Sequence, residues 1–188
     1  MKVYQPNELK NIALIGSAGS GKTTLAEAMM YEGGVIKRKG DVDSQNTVSD
    51  YHTIEHQQGR SIFSTVLYTE YQNKKLNIID TPGLDDFVGG VVSSLAVCDA
   101  ALFLVSGHQG VEVGTEIMSR HTSRFETPMI FAINQLDHEN ANYEKAVEDL
   151  KTKFGNKAVQ VQYPINPGNE FNAVIDVLKM KMYTWGPE

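Results

Sequence analysis

A glycine-rich segment near the N-terminus constrains the fold of this chain more than any other feature. It matches the Walker A pattern G-x-x-x-x-G-K-T in full, with the residues Gly16, Ser17, Ala18, Gly19, Ser20, Gly21, Lys22 and Thr23. An apolar run over 11–15 precedes it, and a helical pattern over 23–31 follows it. Because this motif requires a strand before it and a helix after it, the segment predicts a phosphate-binding loop in an α/β domain.

Each part of this loop has a chemical task. Glycines let backbone N–H groups surround a β-phosphate, and the helix N-terminus adds its dipole. We expect Lys22 to place its charge on the β- and γ-phosphates and the Thr23 hydroxyl to bind Mg²⁺. Thr24 completes the predicted nucleotide-binding residues. The alternative, a plain glycine-rich turn, is disfavoured by the flanking strand and helix.

A second motif, Asp80-Thr-Pro-Gly83, follows the apolar strand predicted over 76–79. A carboxylate at a strand end beside a phosphate-binding loop can hold Mg²⁺ through water, and the N–H of Gly83 can contact a γ-phosphate. The same four residues are also typical of an ordinary turn. The order of the motifs along the chain favours the functional interpretation.

A third motif, Asn134-Gln135-Leu-Asp137, follows the strand predicted over 129–133. In GTPases the aspartate of Asn-Lys-x-Asp accepts two hydrogen bonds from guanine that adenine cannot donate. Here Gln135 replaces the lysine, which weakens its packing and loop contacts. Asp137 as a helix N-cap is the alternative. Together the three motifs predict guanine nucleotide binding.

The remaining pattern alternates short apolar strands with longer helical segments. We predict a hairpin of strands 61–71 and 76–79, buried strands over 100–105 and 129–133, a strand over 158–163, a loop over 35–60, and helices over 90–97, 112–125, 140–154 and 170–184. The predicted fold is α/β, a Ras-like P-loop NTPase three-layer sandwich whose sheet is mostly parallel with one antiparallel strand.

Composition excludes several other classes. The single cysteine, Cys98, excludes an internal disulfide and a four-cysteine zinc site, and we interpret it as an inert core residue. A formal charge of −6 argues against binding nucleic acid through bulk electrostatics. No apolar run approaches the ~20 residues that span a bilayer. We expect a cytoplasmic monomer without a membrane partner.

Beyond these motifs, the sequence resembles the GTP-binding domain of bacterial elongation factor G, a translational GTPase. Nearly the whole chain takes part: the resemblance includes Asn11-Ile12, 77–83, 109–112, 163–165 and 171–183. It implies GTP hydrolysis in ribosome-dependent translation elongation, with GTP or GDP and Mg²⁺ as ligands and the ribosome as partner. Ribosomal protection proteins of the tetracycline-resistance type are similar and remain an alternative.

The resemblance assigns further residues. Gln58-Gly-Arg-Ser-Ile62 corresponds to the family's Arg-Gly-Ile-Thr-Ile, so that Ser61 replaces the threonine that binds Mg²⁺ and the γ-phosphate. Its hydroxyl can perform the same chemistry, although the missing methyl loosens its orientation. By analogy with other GTPases, we expect the segment 35–60 to be mobile without GTP.

Two departures from the family affect hydrolysis. Leu84 occupies the position of a histidine that positions the attacking water, and leucine can neither orient nor polarise water. Gly19 occupies the position of an aspartate, so an acidic group near the phosphates is missing. We therefore expect slow or altered hydrolysis, with Lys22 and Gly83 as the remaining catalytic contacts. A guanine nucleotide switch that does not hydrolyse GTP is the second hypothesis.

The end of the chain also differs from the family. The family's last guanine contact, a Ser-Ala-type loop, has no counterpart after Asp137, and elongation factor G continues into several further domains. We interpret residues 1–188 as a GTP-binding domain truncated before both.

One motif points to a different chemistry. His52-Thr-Ile-Glu55-His56 matches the H-x-x-E-H pattern of zinc peptidases. It lies in the polar segment 35–60, and no third ligand follows in a recognisable motif. We therefore expect no zinc, and we interpret His108, His121 and His138 as ordinary surface or core histidines.

Overall fold

The computed structural model describes residues 2–155 and 158–186. Its strands are β1 (Leu9–Ile15), β2 (Thr65–Tyr71), β3 (Lys74–Asp80), β4 (Ala100–Ser106), β5 (Met129–Asn134), β6 (Gln162–Ile165), β7 (Ala173–Asp176) and β8 (Lys181–Thr184). Its helices are α1 (Lys22–Glu32), α2 (Thr53–Gln58), α3 (Val88–Leu95), α4 (Val113–Arg124) and α5 (Tyr143–Phe154). Short 3₁₀ turns cover Pro6–Glu8 and Asp85–Phe87.

The larger sheet has the strand order β2-β3-β1-β4-β5. Strand β1 runs parallel to both β3 and β4, whereas β2 pairs with β3 in antiparallel register from Thr65↔Asp80 to Tyr71↔Lys74. The turn between β2 and β3 uses Gln72 and Asn73 in the left-handed region. The predicted α/β fold, mostly parallel with one antiparallel strand, is confirmed.

Contacts along the chain define two compact units, which we describe separately. The first comprises Met1–Leu104 with Val113–Ala132, and the second comprises Val105–Glu112 with Ile133–Glu188. In the first unit, α1 packs on β1, β2 and β3 around a buried apolar cluster of Leu14, Ala26, Met30, Leu67 and Ile78. This packing fixes the start of α1, and hence the loop before it, against the strands.

The prediction of a loop over 35–60 was wrong at its end, because residues 53–58 form α2. This helix begins after His52, whose backbone N–H donates to Glu55 Oε2 at 3.2 Å, and ends at Gly59 in the left-handed region. Its six residues are too few to show helical periodicity in the sequence. Strand β2 also begins at Thr65, so residues 61–64 lie outside the predicted strand.

In the second unit the predicted helix over 170–184 was wrong. The segment forms β7 and β8, which pair antiparallel from Ala173↔Thr184 to Asp176↔Lys181, and β6 pairs with the other edge of β7. Asp176 Oδ1 accepts from the Lys179 N–H at 2.9 Å, and Met180 adopts a left-handed φ of 51°. These residues close a tight hairpin, so apolar spacing that suggests a helix belongs to two short strands.

The strand predicted over 158–163 is displaced, since β6 covers Gln162–Ile165 and residues 158–161 are not in a strand. The other predicted helices agree with α1, α3, α4 and α5 to within three residues at either end. Within 2–155 and 158–186, no helix is both long and apolar enough to cross a membrane.

Candidate functional site

The predicted phosphate-binding loop connects β1 to α1. Gly16, Gly19 and Gly21 all have positive φ, which lets the backbone curl between the strand and the helix. The Lys22 ammonium donates to the carbonyl oxygens of Gly16 at 2.9 Å and Ser17 at 2.8 Å. Burial lowers the pKa of Lys22 to about 8, against the opposing effect of nearby carboxylates. The lysine is therefore folded over the concave face of its own loop.

Three hydroxyl groups gather around the Asp80 carboxylate at the end of β3. Thr23 Oγ1 and Ser49 Oγ each donate to Asp80 Oδ2 at 2.7 Å, and Ser61 Oγ lies 3.4 Å from Thr23 Oγ1. Burial raises the pKa of Asp80, although these hydrogen bonds and Lys22 oppose the rise. Thr23, Ser61 and Asp80, which the sequence predicts as metal ligands, are thus brought together.

Asp50 is a neighbour of this group that sequence reasoning missed, as is Ser49. Asp50 is buried. Burial raises the pKa of Asp50, while the Ser61 side chain lowers it. No sequence signal could have identified either residue, because they belong to an irregular polar segment without periodicity.

This group fits a magnesium ion. Asp80 Oδ1 and Asp50 Oδ1 are buried, and neither finds a hydrogen-bond partner in the described part of the chain. A buried carboxylate oxygen without a partner is costly unless a cation or water occupies the space beside it. The nearby donors are carboxylate and hydroxyl oxygens, which are the ligand types that Mg²⁺ prefers.

Gly83 packs directly on the phosphate-binding loop. A Cβ built on Gly83 would lie 2.6 Å from Ala18 N and 2.6 Å from Lys22 Nζ, so a side chain cannot be placed here without displacing the loop. Leu84 is half-buried at the entry to the 3₁₀ turn Asp85–Phe87 and brings no polar side-chain atom. At Gly19, by contrast, a Cβ would meet nothing within 4 Å.

The remaining residues of the loop differ in burial. Ser20 is buried, whereas Thr24 is exposed on the first turn of α1. Ser17 Oγ lies 3.2 Å from Thr115 Oγ1 on α4, within hydrogen-bond distance. Thr24 therefore points away from the cluster of hydroxyls around Asp80, which includes that of Thr23.

The predicted guanine motif lies in the second unit. Asn134 ends β5 and its carbonyl oxygen accepts from the Gly107 N–H at 2.7 Å, while Gln135 adopts a left-handed φ of 58°. Asp137 is exposed and lines an open cavity with neighbours that include Phe171 and Trp185. Asp137 does not cap a helix, because α5 is capped by Asn142, whose Oδ1 accepts from the Lys145 N–H at 2.9 Å.

The zinc-peptidase pattern does not form a ligand set. Glu55 is 1% exposed and bound by backbone N–H groups, and His56 Nε2 lies 2.6 Å from the Asp50 carbonyl oxygen. Over residues 2–155 and 158–186, no group of three or more His, Cys, Asp or Glu side chains is arranged to hold a metal ion.

Comparisons with known proteins agree with this arrangement of motifs. Residues 7–182 match the family model described as the elongation factor Tu GTP binding domain. The chain is 36% identical over 174 residues to elongation factor G of Mycoplasma pneumoniae, and 35% identical over 177 residues to an elongation factor G-like protein of Thermotoga maritima. These matches cover 93% and 94% of this chain, but 25% of each relative.

A solved structure of a Thermus thermophilus protein is also similar. Its TM-score is 0.89 at 33% identity, and the match covers 94% of this chain and 26% of that protein's chain. The chain thus spans about a quarter of the length of the curated relatives that it matches.

Proposed function

Because this chain belongs to the family of elongation factor Tu GTP-binding domains, we propose that it binds guanine nucleotide with Mg²⁺ and hydrolyses GTP to GDP and phosphate. We further propose that it does so as part of an elongation factor G-like translation factor that works on the ribosome. The observation that carries the proposal is the convergence of Thr23, Ser61 and Asp80 beside the phosphate-binding loop.

Phosphate binding falls to the loop and its lysine. Backbone N–H groups between Gly16 and Thr23 surround the β-phosphate, and the N-terminus of α1 contributes its dipole. The Lys22 ammonium then exchanges its bonds to two loop carbonyls for bonds to β- and γ-phosphate oxygens. Since the lysine is already folded over the loop, little side-chain entropy is lost on binding.

Three side chains would hold the cation. The hydroxyls of Thr23 and Ser61 would be its direct protein ligands, and Asp80 would hold it through water. When bound, Mg²⁺ neutralises charge on the phosphate oxygens. The Thr23–Asp80 hydrogen bond keeps the threonine hydroxyl oriented, and Ser49 fixes the same carboxylate oxygen.

Base selection falls to the second unit. Asp137 accepts hydrogen bonds from guanine N1–H and N2–H, and adenine lacks this donor pair. The exposure of Asp137 leaves its carboxylate accessible to a ligand. The Asn134 carbonyl oxygen holds the loop through its hydrogen bond from the Gly107 N–H, and Gln135 occupies the position of the family's lysine.

Hydrolysis depends on groups near the γ-phosphate. The backbone N–H of Gly83 contacts this phosphate, and Lys22 stabilises charge that develops in the transition state. Leu84 supplies no polar group to position water, so turnover is slow or altered. The same residue favours a second candidate function, in which the protein acts as a guanine nucleotide switch by occupancy alone.

Calorimetry tests the core of the proposal. GDP with Mg²⁺ is titrated into the chain, and ADP with Mg²⁺ is the matched control. Binding of GDP without binding of ADP supports the guanine assignment, and GTP turnover with ribosomes then distinguishes the two candidate functions. Equal binding of both nucleotides contradicts the role of Asp137, and binding of neither contradicts the nucleotide site itself.

A further inference from the structure

Glu55 is a buried carboxylate that the nucleotide chemistry above does not use. It is 1% exposed, and both of its oxygens accept hydrogen bonds from backbone N–H groups. Oε1 accepts from Ile62 at 3.0 Å and from Phe63 at 3.1 Å, and Oε2 accepts from His52 at 3.2 Å. These bonds connect α2 to the two residues that directly follow Ser61.

The two histidines of the same motif reinforce this connection. The His52 ring lies edge-on to the Phe63 ring, with centroids 4.8 Å apart. His56 Nε2 lies 2.6 Å from the carbonyl oxygen of Asp50, which precedes α2 in the chain. The H-x-x-E-H pattern therefore connects α2 both to the segment before it and to the residues that follow Ser61.

We propose that Glu55 is a positioning residue that holds the Ser61 hydroxyl beside Thr23 for the GTP-bound magnesium site. The inference rests on the proposed function, because Ser61 contacts Mg²⁺ and the γ-phosphate only there. A carboxylate suits the task, since it accepts every hydrogen bond offered by the three N–H groups and donates none. GDP lacks the γ-phosphate, so its binding depends less on where Ser61 is held.

A double-mutant cycle tests this dependence. Glu55→Ala, Ser61→Ala and their combination are compared by the Kd for a non-hydrolysable GTP analogue and for GDP, both with Mg²⁺. We expect each single change to raise the Kd for the analogue about tenfold, which corresponds to the ~1.4 kcal/mol of one buried hydrogen-bonding contact. Because Glu55 acts through Ser61, the Kd of the combined variant should equal that of Ser61→Ala within about twofold.

Matched variants separate positioning from a general loss of structure. Glu32→Gln removes a carboxylate from the exposed end of α1 and should leave both Kd values unchanged. Glu55→Gln keeps one carbonyl oxygen for Ile62 and Phe63 but turns an amide N–H₂ toward the His52 N–H. It should therefore retain part of the analogue affinity, and it replaces Glu55→Ala in the cycle if that variant does not unfold cooperatively.

Hydrogen exchange supplies a readout that needs no nucleotide. The amides of Ile62 and Phe63 should exchange faster in the Glu55 variant used in the cycle than in the wild-type chain. Unchanged exchange, or additive losses of analogue affinity in the combined variant, would overturn the inference while the proposed function stands. A wild-type chain that binds neither nucleotide would overturn the proposed function, and with it the magnesium role of Ser61.

Discussion

Thr23 and Asp80 share a hydrogen bond of 2.7 Å although they lie 57 residues apart in the chain. Thr23 is in the first turn of α1, and Asp80 is the last residue of β3. Since β1 and β3 are adjacent parallel strands, their carboxyl ends meet at one edge of the sheet. The hydrogen bond therefore joins the Walker A motif to the Asp80-Thr-Pro-Gly83 motif.

Thr23→Ala should lower the free energy of unfolding by roughly 1–3 kcal/mol, because a buried carboxylate oxygen loses one of its donors. It should also abolish the increase in GDP affinity that Mg²⁺ produces in the wild-type chain. Urea unfolding and GDP titration with Mg²⁺ or EDTA measure the two effects. Ser93→Ala removes an exposed hydroxyl from α3 and is the control, with an expected change below about 0.5 kcal/mol.

Gly83→Ala should destabilise the chain by roughly 1–3 kcal/mol, since its Cβ would overlap the phosphate-binding loop. Displacement of Ala18 and Lys22 should also weaken binding of the GTP analogue. Gly89→Ala is the matched control, because a Cβ there meets nothing within 4 Å. Alanine in α3 should leave the unfolding free energy unchanged or raise it by up to about 1 kcal/mol. Equal losses in both variants would contradict the close approach at Gly83.

Asp137→Asn should exchange guanine specificity for xanthine specificity. The amide cannot accept hydrogen bonds from both guanine N1–H and N2–H. It can, however, donate to the oxygen that xanthine carries in place of the guanine N2 amino group. We expect GDP affinity to fall at least about 100-fold and xanthosine diphosphate to become the tighter ligand. Calorimetry with both nucleotides measures the exchange, and unaltered GDP binding would remove Asp137 from the site.

Leu84→His should raise GTP turnover in the presence of ribosomes by at least about tenfold, because an imidazole can orient the attacking water. Phosphate release with and without ribosomes is the measurement. A gain over measurable wild-type turnover supports slow hydrolysis, whereas a gain from no detectable wild-type turnover favours the switch that does not hydrolyse GTP. No gain means that water is positioned by another group, and the hydrolysing function then gains support.

Cys98 should react slowly with a thiol-specific disulfide reagent. Burial raises the pKa of its thiol, and Sγ lies 3.7 Å from the Leu95 carbonyl oxygen. A raised pKa means less thiolate at about pH 8 than in a free cysteine, so the rate should be lower and should still increase above about pH 9. The chain unfolded in urea is the control and should react rapidly. A rate that already reaches its plateau near about pH 8 would contradict the raised pKa.

Local signals were sufficient for the phosphate-binding half of the site. The Walker A residues and Asp80-Thr-Pro-Gly83 each follow a buried strand, and parallel pairing of those strands brings Thr23 and Asp80 together. Strand periodicity and the context of a motif each depend on a few neighbouring residues, so both can be read from a single sequence. The same reasoning gave the β2–β3 hairpin from alternation around a polar turn.

Signals that depend on distant contacts were missed. Ser49 and Asp50 acquire their roles only when the polar segment folds back onto Asp80. Glu55 matches a zinc-ligand pattern in the sequence, whereas its actual partners are the backbone amides of Ile62 and Phe63, which no sequence motif indicates. The sequence predicts a helix where the β7–β8 hairpin forms, because apolar residues in two short strands imitate helical spacing. In each case hydrogen bonds between separate segments decided the structure, and local side-chain patterns do not encode them.

The strand order of the larger sheet has a consequence for how the chain folds. Strands β2 and β3 pair across a two-residue turn, whereas the central strand β1 joins β3 through residues 66 positions apart, such as Asn11 and Asn77. On its other side β1 meets the start of β4, where Asn11 contacts Asp99 across 88 positions. Since loop-closure entropy must be overcome before distant strands pair, the hairpin should form early and β1 should dock late. The phosphate-binding loop, which begins where β1 ends, would then be among the last parts of the molecule to acquire its shape.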